Sequence, residues 1–257
     1  MNTRRIVALG GTEALAFLQG LVSNDVLPLA KGPGLIWTAL LTPQGKYLAD
    51  FFVGRGVDQG AGPSAQGLFL DMAEVLTDAT LRRLMLYRLR ADVTLTASDM
   101  AVTRGLGAAP PGAVPDPRHP ALGWRLYGAA GMLVEEAAVD WDAIRVAHLI
   151  PESGVELIPD ESYLLESGFE RLHGVDFRKG CYVGQEVTAR MKHKTELRKG
   201  LALVAVEGAA PVGSAILAEG REVGRLFTQS GGRAIAHLRL DKAEGEMWAA
   251  DARVRRI

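Results

Sequence analysis

The feature that most constrains the fold is a regular alternation of short strands and glycine-containing turns from Leu201 onward. The predicted strands are Leu201–Val206, Ile216–Leu217, Arg221–Phe227, Ala234–Leu240 and Ala252–Ile257. Short strands at this spacing are typical of small antiparallel barrels and sandwiches. The C-terminal part is therefore predicted to be all-β and of one of these two kinds.

The preceding part of the chain mixes strands and helices. Residues 35–41 and 47–53 predict two strands, and Thr42-Pro43-Gln44-Gly45 between them predicts a hairpin turn. Helices are predicted over 77–90 and after Asp140, which can cap one. Because the helices are few and no regular βαβ pattern is present, an α+β fold is favoured over a parallel sheet.

The composition limits the cellular locations and the kinds of binding partner that are expected for this chain. The net charge of −1 provides no overall field that would attract nucleic acid or acidic lipid. The single cysteine excludes an internal disulfide and a cluster held by about four thiolates of this chain alone. A lone thiol fits a reducing compartment, and the apolar run Ile6–Leu9 is too short for a signal peptide or membrane helix. A cytoplasmic location is expected.

The segment Arg178–Glu186 is the best candidate for chemistry. Its thiol, Cys181, lies between two glycines and follows two cations, Arg178 and Lys179. Glycines allow close backbone approach by a ligand, and cations favour the reactive thiolate. The alternative is that Cys181 is a small buried hydrophobic residue, as isolated cysteines commonly are.

A longer stretch around this thiol, residues 178–199, is basic, with Glu186 and Glu196 as its only acids. Its cations are Arg178, Lys179, Arg190, Lys192, Lys194, Arg198 and Lys199. Such a concentration suits a carboxylate-rich small molecule or an acidic partner surface. A solvated loop without a ligand is the alternative.

Other site types are disfavoured. The five histidines have no metal-ligand spacing with one another or with Cys181, so no metal site is predicted. No nucleophile elbow or phosphate-binding loop is present. A nucleophilic pair of Cys181 with His173 or His193 stays open, although no third group is identifiable.

The segment Lys179–Glu186, with Ala189-Arg190 beyond it, closely resembles the signature of the YgfZ-like family. That family is related to the aminomethyltransferase T-protein of the glycine cleavage system. Three further regions resemble the family in the same order, namely Phe17–Val26, Pro43–Phe51 and Arg145 with Ile150-Pro151-Glu152. The resemblance extends from about residue 8 to residue 240.

The resemblance implies a three-part α+β architecture around a central opening. Residues 1–30 and 116–195 would form a discontinuous folate-binding domain, 31–115 an inserted ferredoxin-like domain, and 196–257 a β-barrel. Tetrahydrofolate or a derivative would bind in the opening, with Cys181 facing it.

The resemblance also implies a function, namely a tetrahydrofolate-binding accessory protein for the assembly or repair of iron–sulfur enzymes, including tRNA-modifying ones. Cys181 would be the functional thiol. The expected motif residues are Lys179, Gly180, Cys181, Tyr182, Gly184, Gln185 and Glu186. The expected folate contacts are Arg145, Glu161, Arg190 and Lys179, because the folate tail carries carboxylates and the pterin offers ring N–H groups. Arg145 and Arg190 could instead hold the opening in shape.

Two alternatives and two departures accompany this interpretation. The chain could be a folate-dependent aminomethyltransferase that uses Asp50, or a binding module with a vestigial pocket. The T-protein pattern has two adjacent acids where this chain has Ala49-Asp50, which argues against aminomethyl transfer. Leu149 replaces a glycine common in the family. A monomer is expected, with iron–sulfur client proteins as partners and without direct nucleic-acid or membrane contact.

Overall fold

The structure is a computed structural model that describes residues 3–56, 67–130, 138–193 and 196–257. Lys194 of the basic stretch lies outside the described residues. All described sheets are antiparallel.

The first sheet contains five strands in the order β2-β3-β4-β1-β5. Its strands are β1 (Arg4–Gly10), β2 (Gly34–Leu41), β3 (Tyr47–Arg55), β4 (Leu68–Ala73) and β5 (Thr94–Ala97). The predicted hairpin of β2 and β3 is present. Its turn requires Gly45, whose φ is +75°, because glycine has no Cβ to oppose a left-handed backbone.

Two helices, α1 (Ala14–Gln19) and α2 (Glu74–Arg88), accompany this sheet. One face of the sheet buries Val53, Leu70 and Met72 together with Leu18 of α1 and Leu84 of α2. Since every second residue of a strand points to the same face, β3 uses its other side chains, including Phe52, in a second core.

A smaller sheet follows, in the order β6-β8-β7. Its strands are β6 (Met100–Gly105), β7 (Val114–Pro115) and β8 (Trp124–Ala129). Residues 105–120, which are rich in proline and glycine, join its first two strands and lead to the short 3-10 helix Pro120–Leu122.

Residues 138–193 contain α3 (Trp141–His148), α4 (Gln185–His193) and long irregular segments. The predicted cap at Asp140 is present, since its carboxylate accepts the backbone N–H of Ala143 at 2.9 Å. These irregular segments are ordered by the second core, in which Trp37 and Phe169 stack with ring centroids 4.1 Å apart.

The C-terminal strands form a closed barrel in the order β10-β11-β12-β9-β14-β13. They are β9 (Lys199–Glu207), β10 (Ala215–Ala218), β11 (Arg221–Ser230), β12 (Arg233–Arg239), β13 (Met247–Ala249) and β14 (Ala252–Arg256). Alternate residues of β9 are buried, as closure of a small barrel around its own side chains requires.

The sequence left a barrel and a sandwich open, and the structure has a barrel. The α+β fold class with a C-terminal barrel is confirmed. The three-part boundaries stay a prediction; the first sheet joins residues from the first two expected parts, because β1 pairs with both β4 and β5.

Candidate functional site

The signature segment is clamped onto the hairpin turn through Gly184. Its φ is +82°, and a Cβ at this position would lie 2.4 Å from the carbonyl oxygen of Thr42. Gly180 is different, because an added Cβ would meet nothing within 4 Å. One glycine of the motif is therefore required by packing, whereas the other borders open space.

Lys179 fastens the same segment to the end of α1. Its Nζ donates to the carbonyl oxygens of Gln19 at 2.8 Å and Asn24 at 3.0 Å, and also to that of Val22. Burial lowers the pKa of Lys179 to about 8, against the opposing effect of Asp25 and Asp176. The ammonium group thus binds the last carbonyl of α1 and two carbonyls of the turn that follows it.

Cys181 lies on the exposed side of the segment. The next side chain, Tyr182, is half-buried and packs against the second core. Gln185 accepts the backbone N–H of Tyr182 at 3.2 Å, and Glu186 follows in the first turn of α4. The alternative that Cys181 is a buried structural residue is wrong, because its side chain is exposed to solvent.

Asp50 is buried and its carboxylate has three neutral donors. Trp37 Nε1 donates to one oxygen at 2.8 Å, whereas the Tyr47 hydroxyl and the Ser153 hydroxyl each donate to the other at 2.6 Å. Burial raises the pKa of Tyr47 well above its ordinary value, and the neighbouring Asp50 charge raises it further. Asp50 therefore holds β2, β3 and the 153–157 turn together.

Arg145 joins α3 to the barrel. Its guanidinium donates to Glu156 and, at 3.1 Å, to the hydroxyl of Thr228 on β11. The other carboxylate oxygen of Glu156 accepts the Thr228 hydroxyl at 2.5 Å. Because Arg145 is buried and engaged in these contacts, its geometry matches the holding role expected as an alternative to a folate contact.

A cavity of about 460 Å³ lies between residues 156–166 and the outer surface of the barrel strands β9, β11 and β12. Ile158, Tyr163 and Phe227 are among its apolar lining residues. Its acidic and basic lining residues are Glu156, Glu161, Glu166, Lys199, Glu222, Arg225, His237 and Arg239. We refer to it as the loop–barrel cavity. Its volume lies within the range of small-molecule sites, although its lining is more highly charged than is usual for them.

Two carboxylates of this cavity differ in exposure. Glu161, which the sequence singled out, has a 60% exposed side chain and pairs with Arg225 at 3.3 Å. Glu166 was not predicted; its side chain is 16% exposed and contacts His237 Nε2 at 3.1 Å. Glu166 is the better-shielded acceptor for the ring N–H groups of a ligand.

Two cations of the cavity have no acidic partner in the part of the chain that the structure describes. Lys199 and Arg239 are direct cross-strand partners on β9 and β12, so their like charges face each other in the ladder. Such a pair is unfavourable in an antiparallel sheet. These residues, called the rim cations below, would gain from a bound carboxylate.

The predicted site residues therefore fall into separate places. Glu161 lines the loop–barrel cavity, as does Lys199 of the basic stretch. Cys181 and Lys179 belong to the signature segment and are not part of that lining, so the expectation that the thiol faces a folate-binding opening stays a prediction. Arg190 lies exposed on α4, outside the lining.

Sequence reasoning missed a buried charge cluster between the first two sheets. Arg125 bridges Asp71 at 2.8 Å and Asp116 at 2.9 Å, whereas Arg4 and Arg118 complete the pairing of these two acids. Burial alone would raise the pKa of Asp116, but the adjacent Arg118 and Arg125 hold it below its ordinary value. The sequence signal for this cluster was Asp71 itself, an acidic residue within the otherwise apolar strand Leu68–Ala73.

Within the described residues, no group of three or more His, Cys, Asp or Glu side chains could hold a metal ion. No helix among the described residues has the length and apolar character needed to cross a bilayer.

Comparison with known proteins begins with the barrel. Residues 198–257 match the family model of the CAF17 C-terminal beta-barrel domain. The chain is also 32% identical, over 219 residues, to the mitochondrial iron–sulfur cluster assembly factor IBA57 homolog of Mycosarcoma maydis. That match covers 76% of this chain and 54% of the relative, so the chain spans about half the length of this fungal protein.

The human mitochondrial iron–sulfur cluster assembly factor IBA57 is 28% identical over 282 residues, which cover 96% of this chain and 78% of the relative. These names contradict the expected cytoplasmic location, since the relatives are mitochondrial. That expectation is wrong, because a lone cysteine indicates a reducing environment without distinguishing one such compartment from another.

Among solved structures, the glycine cleavage system aminomethyltransferase T from Bartonella henselae is similar, with a TM-score of 0.73. The match covers 99% of this chain and 82% of that chain at 13% sequence identity. This likeness confirms the T-protein type of fold, and at such low identity it shows the fold alone.

Proposed function

We propose that this chain is a tetrahydrofolate-binding accessory protein of the YgfZ type that supports iron–sulfur cluster assembly, with Cys181 as its functional thiol. The names of the relatives support the assembly role. Iron–sulfur client proteins, including tRNA-modifying enzymes, would be its partners.

The observation that carries the proposal is the two-sided construction of the signature segment. Lys179 and Gly184 fix the segment to α1 and to the hairpin turn, whereas Gly180 and Cys181 are left facing open space. A rigid platform with an accessible thiol and an adjacent glycine allows another chain to approach the sulfur closely.

A single thiolate cannot hold an iron–sulfur cluster by itself, because such clusters need about four ligands. Cys181 would therefore supply one ligand or one redox step, and the remaining ligands would come from the client or from a carrier. This limits the proposed role to a transient one.

Tetrahydrofolate fits the loop–barrel cavity chemically. Ile158, Tyr163 and Phe227 offer apolar walls for the pterin, and Glu166 offers a shielded acceptor for its N–H groups. The rim cations, Lys199 and Arg239, would hold the carboxylates of the glutamate tail. When bound, tetrahydrofolate would itself serve as a carrier of one-carbon units.

The thiol is tested by replacing Cys181 with Ser in cells that lack their own assembly factor of this type. We expect loss of iron–sulfur enzyme activity, because serine preserves the size but not the sulfur ligand. Val212→Ser on the exposed barrel surface is the matched control and should rescue fully. Full rescue by Cys181→Ser would remove the role assigned to the thiol.

Folate binding is tested separately by calorimetry with tetrahydrofolate. Glu166→Gln and the double change Lys199→Gln with Arg239→Gln should each weaken binding about tenfold or more, which corresponds to about 1.4 kcal/mol. Arg253→Gln, outside the cavity, should leave affinity unchanged, and Cys181→Ser should change it by no more than a few-fold. If tetrahydrofolate gave no heat of binding with the unmodified protein, the folate part of the proposal would be refuted and the assembly role would be unaffected.

Aminomethyl transfer is less well supported. Asp50 would have to reach the folate amine, yet its carboxylate is buried and holds Trp37, Tyr47 and Ser153. It is also absent from the lining of the loop–barrel cavity. These contacts favour a structural role for Asp50.

A further inference from the structure

Helix α2 has two apolar faces, and the structure covers one of them. Thr77, Thr80 and Leu84 are buried against the first sheet. On the opposite side Val75 and Leu86 are each 70% exposed, and Leu89, the residue after the helix, is 86% exposed. A helix with apolar residues on two sides normally packs both sides against other elements, and no described element packs against the outward side of α2.

The outward residues follow the spacing of a helix–helix seam. Val75, Ala79, Arg82 and Leu86 are separated by steps of four, three and four within α2, and the exposed Leu89 directly follows the last helical residue. Steps of this kind keep one narrow stripe aligned with a neighbouring helix over several turns. We call this stripe the exposed seam.

The charges beside the exposed seam are unequal along its length. At its start, Glu74 and Asp78 are both engaged by Arg5, at 3.4 Å and 2.6 Å. Towards its end, the exposed Arg82, Arg83 and Arg90 have no ion pair among the described residues. The free charge along the seam is therefore positive.

We propose that the exposed seam of α2 docks an acidic amphipathic helix of a partner protein. The apolar residues would pack against leucine-like residues of that helix, and Arg82, Arg83 and Arg90 would pair with flanking carboxylates. This surface uses neither Cys181 nor the loop–barrel cavity, so it stands or falls independently of the proposed function.

Two other occupants fit less well. A second copy packed antiparallel would bring the two Arg82 side chains near the two-fold axis, since the centre of the seam within α2 lies between Ala79 and Arg82, and like charges there repel. An anionic membrane would be met by a stripe one side chain wide, with Glu74 and Asp78 at one end. Interfacial helices instead present a broad apolar face with basic flanks.

The test is fluorescence anisotropy with a labelled helical peptide of about three heptads, with Leu at the a and d positions and Glu at e and g. A matched peptide with Lys in place of Glu is the charge control. We expect the unmodified full chain to bind the acidic peptide at least about tenfold more tightly than the basic one.

Two double variants locate the binding. Leu86→Gln with Leu89→Gln should weaken binding of the acidic peptide about tenfold or more, and Arg82→Glu with Arg83→Glu should reverse the peptide preference. Because all four residues are exposed, folding should persist, which thermal unfolding checks. Leu217→Gln on the barrel surface should change nothing.

Several outcomes would overturn the proposal. These are equal affinity for the two peptides, unchanged binding by the double variants, and absence of binding. A dimer in sedimentation that the leucine variants dissolve would assign the seam to a second copy instead. Equally, sedimentation with phosphatidylserine vesicles that depends on Leu86 and Leu89 would assign it to a membrane.

Discussion

Two groups of cationic residues in this molecule serve opposite purposes. In the buried charge cluster, Arg125 lies between Asp71 and Asp116 and its guanidinium stacks 4.0 Å from the centroid of the Phe52 ring. At the rim of the loop–barrel cavity, Arg239 faces another cation, Lys199, and has no acid beside it in the described part of the chain.

The difference separates charges that hold the fold from charges that are free to bind. A buried cation must have its partners within the chain, because an unpaired charge in the interior is strongly unfavourable. An exposed cation opposite a like charge contributes nothing to folding and is available for a carboxylate. Burial and pairing together, rather than residue type, identify the candidate ligand contacts.

The largest expected effect comes from matched substitutions in these two groups. Arg125→Met should lower the free energy of unfolding by about 3–5 kcal/mol, because it leaves buried carboxylates with too few partners. Arg239→Met should change it by less than about 1 kcal/mol, as is usual for exposed charges. Urea denaturation of both variants checks the comparison; equal losses would erase the distinction.

The two motif glycines provide a second comparison. Gly184→Ala should destabilise the protein by about 1–3 kcal/mol, because the new Cβ would clash with the Thr42 carbonyl at a strained backbone angle. Gly180→Ala should stay within about 0.5 kcal/mol, since open space surrounds it. Thermal unfolding measures both. A destabilised Gly180→Ala would mean that the open side of the segment is also structural.

The end of α3 offers a smaller effect of opposite sign. Leu149 has φ +53° and ψ +46°, a left-handed conformation in which its N–H caps the helix. Because glycine adopts this conformation without strain, Leu149→Gly should stabilise the protein by about 0.5–1 kcal/mol. Leu149→Ala is the control and should bring no such gain; equal stability of both variants would contradict the strain argument.

The last comparison concerns Lys179 and the pH dependence of stability. Its folded-state pKa of about 8 lies below the ordinary 10.5, so the folded protein releases this proton first. Stability should therefore rise with pH between about 8 and 10.5 relative to the Lys179→Met variant. Denaturation at several pH values measures the difference. If the difference in free energy of unfolding between the two proteins did not change with pH, the Lys179 amine would be better hydrated than its three carbonyl contacts imply.

The sequence predicted local features well. The β2–β3 hairpin and the Asp140 cap follow from turn and capping chemistry that acts over a few residues. The left-handed backbone at Leu149 also gives a physical reason for the glycine that the family resemblance leads one to expect there.

Contacts between distant segments were predicted poorly. Asp50 and Arg145 carried the right residue types for a site, yet the partners that decide their roles include residues far away in the sequence, such as Ser153 and Thr228. Glu166 and Arg239 carried no sequence signal that distinguished them from other surface charges. Their relevance arises only where the 156–166 segment meets the barrel.

From the sequence alone came the α+β class, the all-β C-terminal part and the selection of the segment around Cys181 as a candidate site, because periodicity, turn residues and an unusual motif are local properties of the chain. The tertiary structure decided that the barrel closes, that the thiol is exposed and that Cys181 is not part of the lining of the loop–barrel cavity. Those outcomes depend on which distant strands pair and which charges become buried, and both are set by packing across the whole molecule.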